Sequence, residues 1–223
     1  MNSVELRNIS KRYGRKRVLE DVTHAFIPGL TLLIGPSGAG KSTLLRLLAT
    51  AEKPNGGAIA WNGKTNAKGV LRRTLGYAPQ AVDLPEDLTA REFALHIAAL
   101  KGLSLSAADK QFVAIADAIG LHADINNRIA SFSGGMRRRL IFAQALLGEP
   151  KLLALDEPTA ELDSETARKL SVLILERAKT AIVIVTTHLA DELAPHAVAM
   201  LRVEAGRVAP PAPAAARQFE PAA

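Results

Sequence analysis

The sequence contains no cysteine. That absence excludes a disulfide scaffold, a thiolate metal site and cysteine catalysis, and it fits a reducing compartment. No apolar run reaches the roughly 18 residues that a membrane-spanning helix requires. The opening MNSVELRNISKRYG also lacks the apolar stretch of a secretory signal. The expected location is therefore cytoplasmic. No internal repeat is visible, so each motif below occurs once. Acidic residues are missing from positions 7–17, where Arg7, Lys11, Arg12, Arg15, Lys16 and Arg17 supply six cations. The formal charge is +6, from 28 Lys and Arg against 22 Asp and Glu, so this one stretch carries the whole excess. A basic balance suggests nucleic acid or an anionic membrane surface. Confined to one segment, it is a weaker signal.

What is present is ordinary for a globular chain. Hydrophobic residues make up 48% and charged residues 22% of 223 positions, which excludes wholesale disorder. The length suits one domain, or a domain carrying an inserted subdomain. Val4–Ser10 and Val18–Val22 read as short strands separated by the basic segment Arg12–Arg17. Leu30–Ile34 is a continuous apolar run, and Ser42–Thr50 reads as a helix. Ala58–Asn62 reads as another strand. Helical spacing then recurs in Ala90–Leu100, Ala107–Ile119 and Met136–Leu147. Lys151–Leu155 and Ala181–Val185 are apolar on both faces, as buried parallel strands are. The expected helix Ser164–Lys179 between them makes a βαβ crossover, and Val198–Val208 reads as a closing hairpin.

Three segments carry chemistry. Gly35-Pro36-Ser37-Gly38-Ala39-Gly40-Lys41-Ser42 matches the pattern of a phosphate-binding loop, with a strand before it and a helix after it. Glycines let backbone N–H groups approach phosphate oxygens, and the helix start adds its positive dipole end. Lys41 can reach the β- and γ-phosphates, and Ser42 can offer its hydroxyl to Mg²⁺. Asp156 and Glu157 end a buried strand as adjacent carboxylates. Successive strand side chains point to opposite sides, so one suits Mg²⁺ and the other suits polarising an attacking water. Ser133-Gly134-Gly135 opens a helix 92 positions after Lys41, with Ser133 as its N-cap. Alone, that turn is simple capping. Met136, Leu140, Ala143 and Leu147 are spaced for one packed face and read as core, and Arg137–Arg139 read as a solvated helix face.

In this order the set resembles the nucleotide-binding domain of ATP-binding cassette (ABC) transporters, over roughly residues 3–208. Gly35–Thr43 is similar to the Walker A loop, Ser133–Met136 to the family signature and Leu152–Pro158 to Walker B with its catalytic glutamate. Gln80 resembles the glutamine that contacts Mg²⁺ and the attacking water. Ala160–Asp163 resembles the D-loop, His188 the histidine on the γ-phosphate, and Tyr13 the aromatic that stacks on adenine. Met136 stands where the family usually has Gln.

The resemblance implies an α/β P-loop NTPase core with an N-terminal antiparallel β-subdomain and an inserted α-helical subdomain. The expected domain covers 1–208, with the helical subdomain at about 88–147, and 209–223 is expected to be a disordered Pro/Ala tail. It also implies ATP hydrolysis with Mg²⁺. Glu157, His188, Gln80 and Lys41 are the catalytic set, and Ser42, Gln80 and Asp156 the metal set. Nucleotide contacts would come from Tyr13, Gly35–Thr43, Ser133–Gly135 and Asp163. One copy of each motif implies a head-to-tail dimer of two chains around two ATPs, with a separate transmembrane permease as partner and no nucleic acid. The chain would then sit on the cytoplasmic face of the inner or plasma membrane. SGGMRRRL resembles exporter signatures more than importer ones, so export is expected and import is the alternative. A soluble ABC ATPase acting on ribosomes or DNA is a further alternative. Translation-type members resemble fused tandem cassettes, and DNA-repair types need a coiled-coil insertion for which there is no room.

Overall fold

The computed structural model describes residues 2–65, 68–187 and 190–209. His188 and residues 210–223, most of the expected tail, lie outside them. The chain begins with a hairpin, β1 (Val4–Tyr13) and β2 (Lys16–Phe26), turning at Gly14 with φ +58°. These strands run further than the hydrophobic pattern suggests. Of the cations that read as a separating segment, Arg15 sits in the turn and the others lie inside the ladder, where Arg12 faces Arg17 and Tyr13 faces Lys16. Backbone pairing continues there without a buried face, because the long side chains stay in solvent. β4 (Gly56–Trp61) adds to the other edge of β1, completing an antiparallel sheet of order β2-β1-β4.

The second sheet contains β3 (Gly29–Ile34), β5 (Leu75–Ala78), β6 (Leu152–Asp156), β7 (Ile182–Thr186), β8 (Ala197–Glu204) and β9 (Arg207–Val208). Its order is β5-β6-β7-β3-β8-β9; the first five strands are parallel, and β9 closes antiparallel to β8 as the hairpin expectation has it. Every residue of β6 and β7 is buried, because both faces of the sheet are covered. Alternate side chains point to opposite faces. On one face Leu153, Leu155, Val183 and Val185 pack with Leu140 and Phe142 of α5 (Gly134–Leu146) and Leu170 and Ile174 of α6 (Ser164–Ala178). On the other, Leu152, Ala154, Ile182 and Ile184 meet Leu44, Leu45 and Leu48 of α1 (Lys41–Leu48) and the inner face of the antiparallel sheet. The antiparallel sheet, α1, the parallel sheet and its outer helices therefore stack in layers around two apolar clusters.

α2 (Lys68–Arg73) and β5 have no counterpart in the sequence reading. β5 has four residues, and Tyr77 aside they carry no strand signal. It forms by pairing with β6, more than 70 positions away. α3 (Ala90–Leu100) and α4 (Leu105–Ala118) follow, and then α5. Thr89 starts α3 with a reciprocal capping box to Glu92. Met136 packs against the core as expected, and Leu140, Ala143 and Leu147 are buried within it. α7 (Ala190–Leu193) is a single turn after β7. Among the described residues no helix is long and apolar enough to cross a membrane.

Candidate nucleotide site

β3 ends at Ile34, and the chain turns through 35–40 into α1. Gly35 has φ +139°, and a Cβ there would stand 2.1 Å from the Val203 carbonyl oxygen. Gly40, the N-cap of α1, has φ +109°, and its Cβ would stand 2.9 Å from the Val18 carbonyl oxygen. Both conformations and both spaces require glycine. The loop thus wraps tightly over the helix start, where unpaired N–H groups gather. Lys41, 9% exposed, donates through Nζ to the carbonyl oxygens of Gly35 at 2.7 Å and Pro36 at 3.0 Å. Its ammonium is held against the loop rather than in solvent.

Because β5, β6, β7 and β3 run parallel, the residues that follow them emerge at the same edge of the sheet. Asp156, 4% exposed, accepts a 2.6 Å hydrogen bond from Thr186 Oγ1 on the neighbouring strand. Glu157 leaves the strand direction with φ +51°, a left-handed conformation uncommon for a residue with a side chain. Its amide donates to the Thr186 carbonyl at 3.1 Å and to Thr186 Oγ1 at 2.9 Å. Gln80 Nε2 donates to Glu157 Oε2 at 2.9 Å. The approach to Gln80 is fixed by Gln144 of α5, whose Nε2 donates to the Tyr77 carbonyl at 2.7 Å. The Tyr77 hydroxyl is pushed up to about 12, by burial first and then by the negative charge of Asp156.

Gln80 and Glu157, with Lys41 and its loop, border a cleft of about 310 Å³. Its lining brings together Tyr13, Ser37, Gly38, Gly40, Lys41, Ser42, Thr43, Gln80 and Glu157, as well as Lys16 and Arg46. Gly35, Pro36 and Ala39 build the loop behind it. Ser133, Gly134, Gly135 and Asp163 do not line the cleft, and Asp156 lies buried just behind Glu157, outside the lining. Ser133 caps α5, its hydroxyl accepting from the Met136 amide at 3.3 Å. Asp163 caps α6, with its carboxylate accepting from the Thr166 amide at 2.9 Å and hydroxyl at 2.8 Å. Those bonds hold the Asp163 carboxyl below the usual aspartate range. His188 lies outside the described residues.

The arginines after the signature turn differ from the solvated face expected of them. Arg137 Nη2 donates to Glu86 at 2.7 Å, and Arg139 donates to the carbonyl oxygens of Ile119 and Gly120. Arg138 Nη1 donates to the Glu157 carbonyl at 3.1 Å, and its Nη2 lies 3.5 Å from Glu161. A guanidinium on a long stem reaches acceptors that helical spacing does not reveal. Thr186 was likewise hidden. The TT after AIVIV is its only trace in the sequence, and its role appears only once β6 and β7 are paired.

The donor set suits a polyphosphate: an ammonium, hydroxyls and a helix start surround the cleft. Ser42, Gln80 and Asp156 offer hard oxygen donors that fit Mg²⁺. Among the described residues no group of three or more His, Cys, Asp or Glu is arranged for a metal, so phosphate and water oxygens would complete its shell.

A family model described as ABC transporter matches residues 19–160. The chain is 32% identical over 201 residues to the Nod factor export ATP-binding protein I of Rhizobium etli, covering 86% of this chain and 62% of that protein. It is 38% identical over 210 residues to an aliphatic sulfonates import ATP-binding protein of Burkholderia pseudomallei, covering 93% and 61%. The chain thus spans less than two thirds of the length of these relatives. Among solved structures, an ATP-binding subunit of an ABC transporter superposes with TM-score 0.83 at 30% identity, over 92% of this chain and 87% of that one. A dimeric cassette in a post-hydrolysis state, bound to ADP and phosphate, superposes with TM-score 0.82 at 27% identity, over 92% and 96%. The loop, the paired carboxylates and these likenesses agree: the chain belongs to the ABC transporter family and carries the ATP-binding cassette fold, whose solved relatives include one caught after hydrolysis.

Proposed function

We propose that this chain hydrolyses ATP, as a dimer, to drive an exporter whose membrane-spanning part is a separate permease. The observation that carries the reading is the contact between Gln80 and Glu157 at the mouth of the Lys41 cleft. It places a carboxylate and an amide beside the groups that would bind a terminal phosphate. Tyr13 offers a ring for the base. Lys41 exchanges its loop carbonyls for β- and γ-phosphate oxygens. Glu157 takes a proton from the attacking water while the bond between the γ-phosphorus and the bridging oxygen breaks, giving ADP and phosphate. Gln80 and His188 orient water and γ-phosphate. Ser42, Gln80 and Asp156 would hold Mg²⁺, which when bound would supply charge compensation at the phosphates. Because Ser133–Gly135 and Asp163 lie away from their own cleft, a second copy facing head to tail would bring them to the nucleotide. The working location is then the cytoplasmic face of the inner or plasma membrane.

Glu157→Gln is expected to keep ATP binding and cut turnover by at least about 100-fold, accumulating an ATP-bound dimer in gel filtration. Rapid turnover by that variant overturns the assignment of the base. Copurification of a multispanning subunit from detergent-solubilised membranes tests the partner; ribosomes or DNA in its place would favour the soluble alternative. Export is supported by the SGGMRRRL run and by the export relative. The importer reading rests on the 38% identity to the sulfonate import protein. Inverted vesicles carrying the complex distinguish them, since export accumulates substrate inside and import depletes it.

A further inference from the structure

The Tyr13 ring is 43% exposed at the end of β1, beside a glycine turn. An exposed ring with free torsions would lose much conformational freedom on stacking. Here it is held before any ligand arrives. Its hydroxyl donates to Glu52 Oε2 at 2.6 Å, a short, charge-assisted bond. Lys11 Nζ lies 2.8 Å from the same carboxylate and 5.0 Å from the centroid of the Tyr13 ring, covering one of its faces. Arg46 Nε lies 2.9 Å from the other Glu52 oxygen as a charge contact, and its Nη2 donates to Thr43 Oγ1 at 3.3 Å. Isolated surface ion pairs do little, but a hydroxyl and two cations converge here on one carboxylate whose side chain is only 25% exposed. Partial burial pushes the Glu52 carboxyl up. Bonds from Lys11 and Tyr13, with the charges of Lys11 and Arg46, outweigh it and leave the group below the usual glutamate range.

We propose that Glu52 is a positioning residue for nucleotide binding: it locks the Tyr13 ring, holds Lys11 across one face, and leaves the other face alone to receive the base. The inference rests on the nucleotide-binding reading above. It follows that the Tyr13 hydroxyl, already committed, takes no part in choosing among bases, and the ring contributes its π-face only. Glu52 also joins this platform, through Arg46, to the helix that carries the phosphate contacts.

The test compares a ligand with a base and one without. Binding of MgATP and of magnesium tripolyphosphate is measured by calorimetry on the full chain, for wild type, Tyr13→Phe and Glu52→Gln. Both variants are expected to weaken MgATP by about 3- to 10-fold while tripolyphosphate stays within about twofold of wild type. In steady state the ATP KM rises and kcat holds. Unchanged MgATP affinity in both variants overturns the proposal. So does an equal loss of tripolyphosphate, which would place the effect in the loop or the fold. Wild type that binds neither ligand refutes the nucleotide reading itself, and this inference with it.

Discussion

Thr186 and Asp156 stand side by side at the ends of neighbouring parallel strands, and the buried threonine hydroxyl donates to the carboxylate at 2.6 Å. The same oxygen accepts from the Glu157 amide at 2.9 Å. One side chain therefore orients both acids of the site. Donation to Asp156 fixes where its lone pairs point, and acceptance from Glu157 supports a left-handed backbone that would otherwise be strained.

Thr186→Val keeps the shape and removes both bonds. It is expected to lower kcat by about 10-fold or more and to destabilise the fold by about 1–3 kcal/mol. Thr186→Ser restores the hydroxyl and should recover most of the activity. Steady-state ATPase assays and urea denaturation check both; an inactive serine variant would show that the methyl group, not the hydroxyl, matters.

Arg138 supports the same residue from the other side through the Glu157 carbonyl. Arg138→Met is expected to reduce kcat by about 3- to 10-fold with the ATP KM nearly constant, because no nucleotide contact is removed within the chain. A change confined to KM would contradict this role.

Lys101 donates to the Leu147 carbonyl at 2.9 Å near the end of α5, and burial holds its ammonium down to about 8. The folded state therefore binds this proton less well than the unfolded chain. Its cost is complete below pH 8 and disappears as pH rises toward the ordinary value of 10.5. Lys101→Met should be more stable than wild type by on the order of 1–2 kcal/mol at pH 7, and the gap should shrink by pH 10. Urea midpoints at the two pH values decide it; a constant gap would falsify the burial account.

The basic segment 7–17 surrounds Tyr13, and Lys16 lines the cleft with it. Replacing Arg15, Lys16 and Arg17 by glutamine should weaken ATP binding by about 3- to 10-fold at low salt, with the difference vanishing at high salt as the Debye length shortens. Equal affinity at low salt would leave these cations as a solvated strand edge.

The phosphate loop was legible because its function is local: glycines, a lysine and a hydroxyl must follow one another, and the helix must start there. β6 and β7 were legible because burial on both faces leaves apolar runs. Elements that depend on distant partners were not. β5 exists through its pairing with β6, and α2, six residues long, is too short for a helical apolar period to show. Thr186, Arg138 and Glu52 act across 18 or more positions of sequence, so spacing alone could not connect them. The basic hairpin misled for a different reason. Its charges read as a linker, yet a strand pair needs only backbone hydrogen bonds to continue.

β7 lies between β3, which leads into the phosphate loop, and β6, which ends in Asp156. The two halves of the site are thus not neighbours in the sheet; a strand that comes late in the chain separates them and bonds to both. During synthesis, the loop and its carboxylate would wait for residues 182–186 before either had its lateral support. The site is consequently assembled last, by long-range closure, and folding should be slow relative to helical proteins of similar size. A chain interrupted before β7 would display the open edges of β3 and β6, which makes that stage the vulnerable one for aggregation.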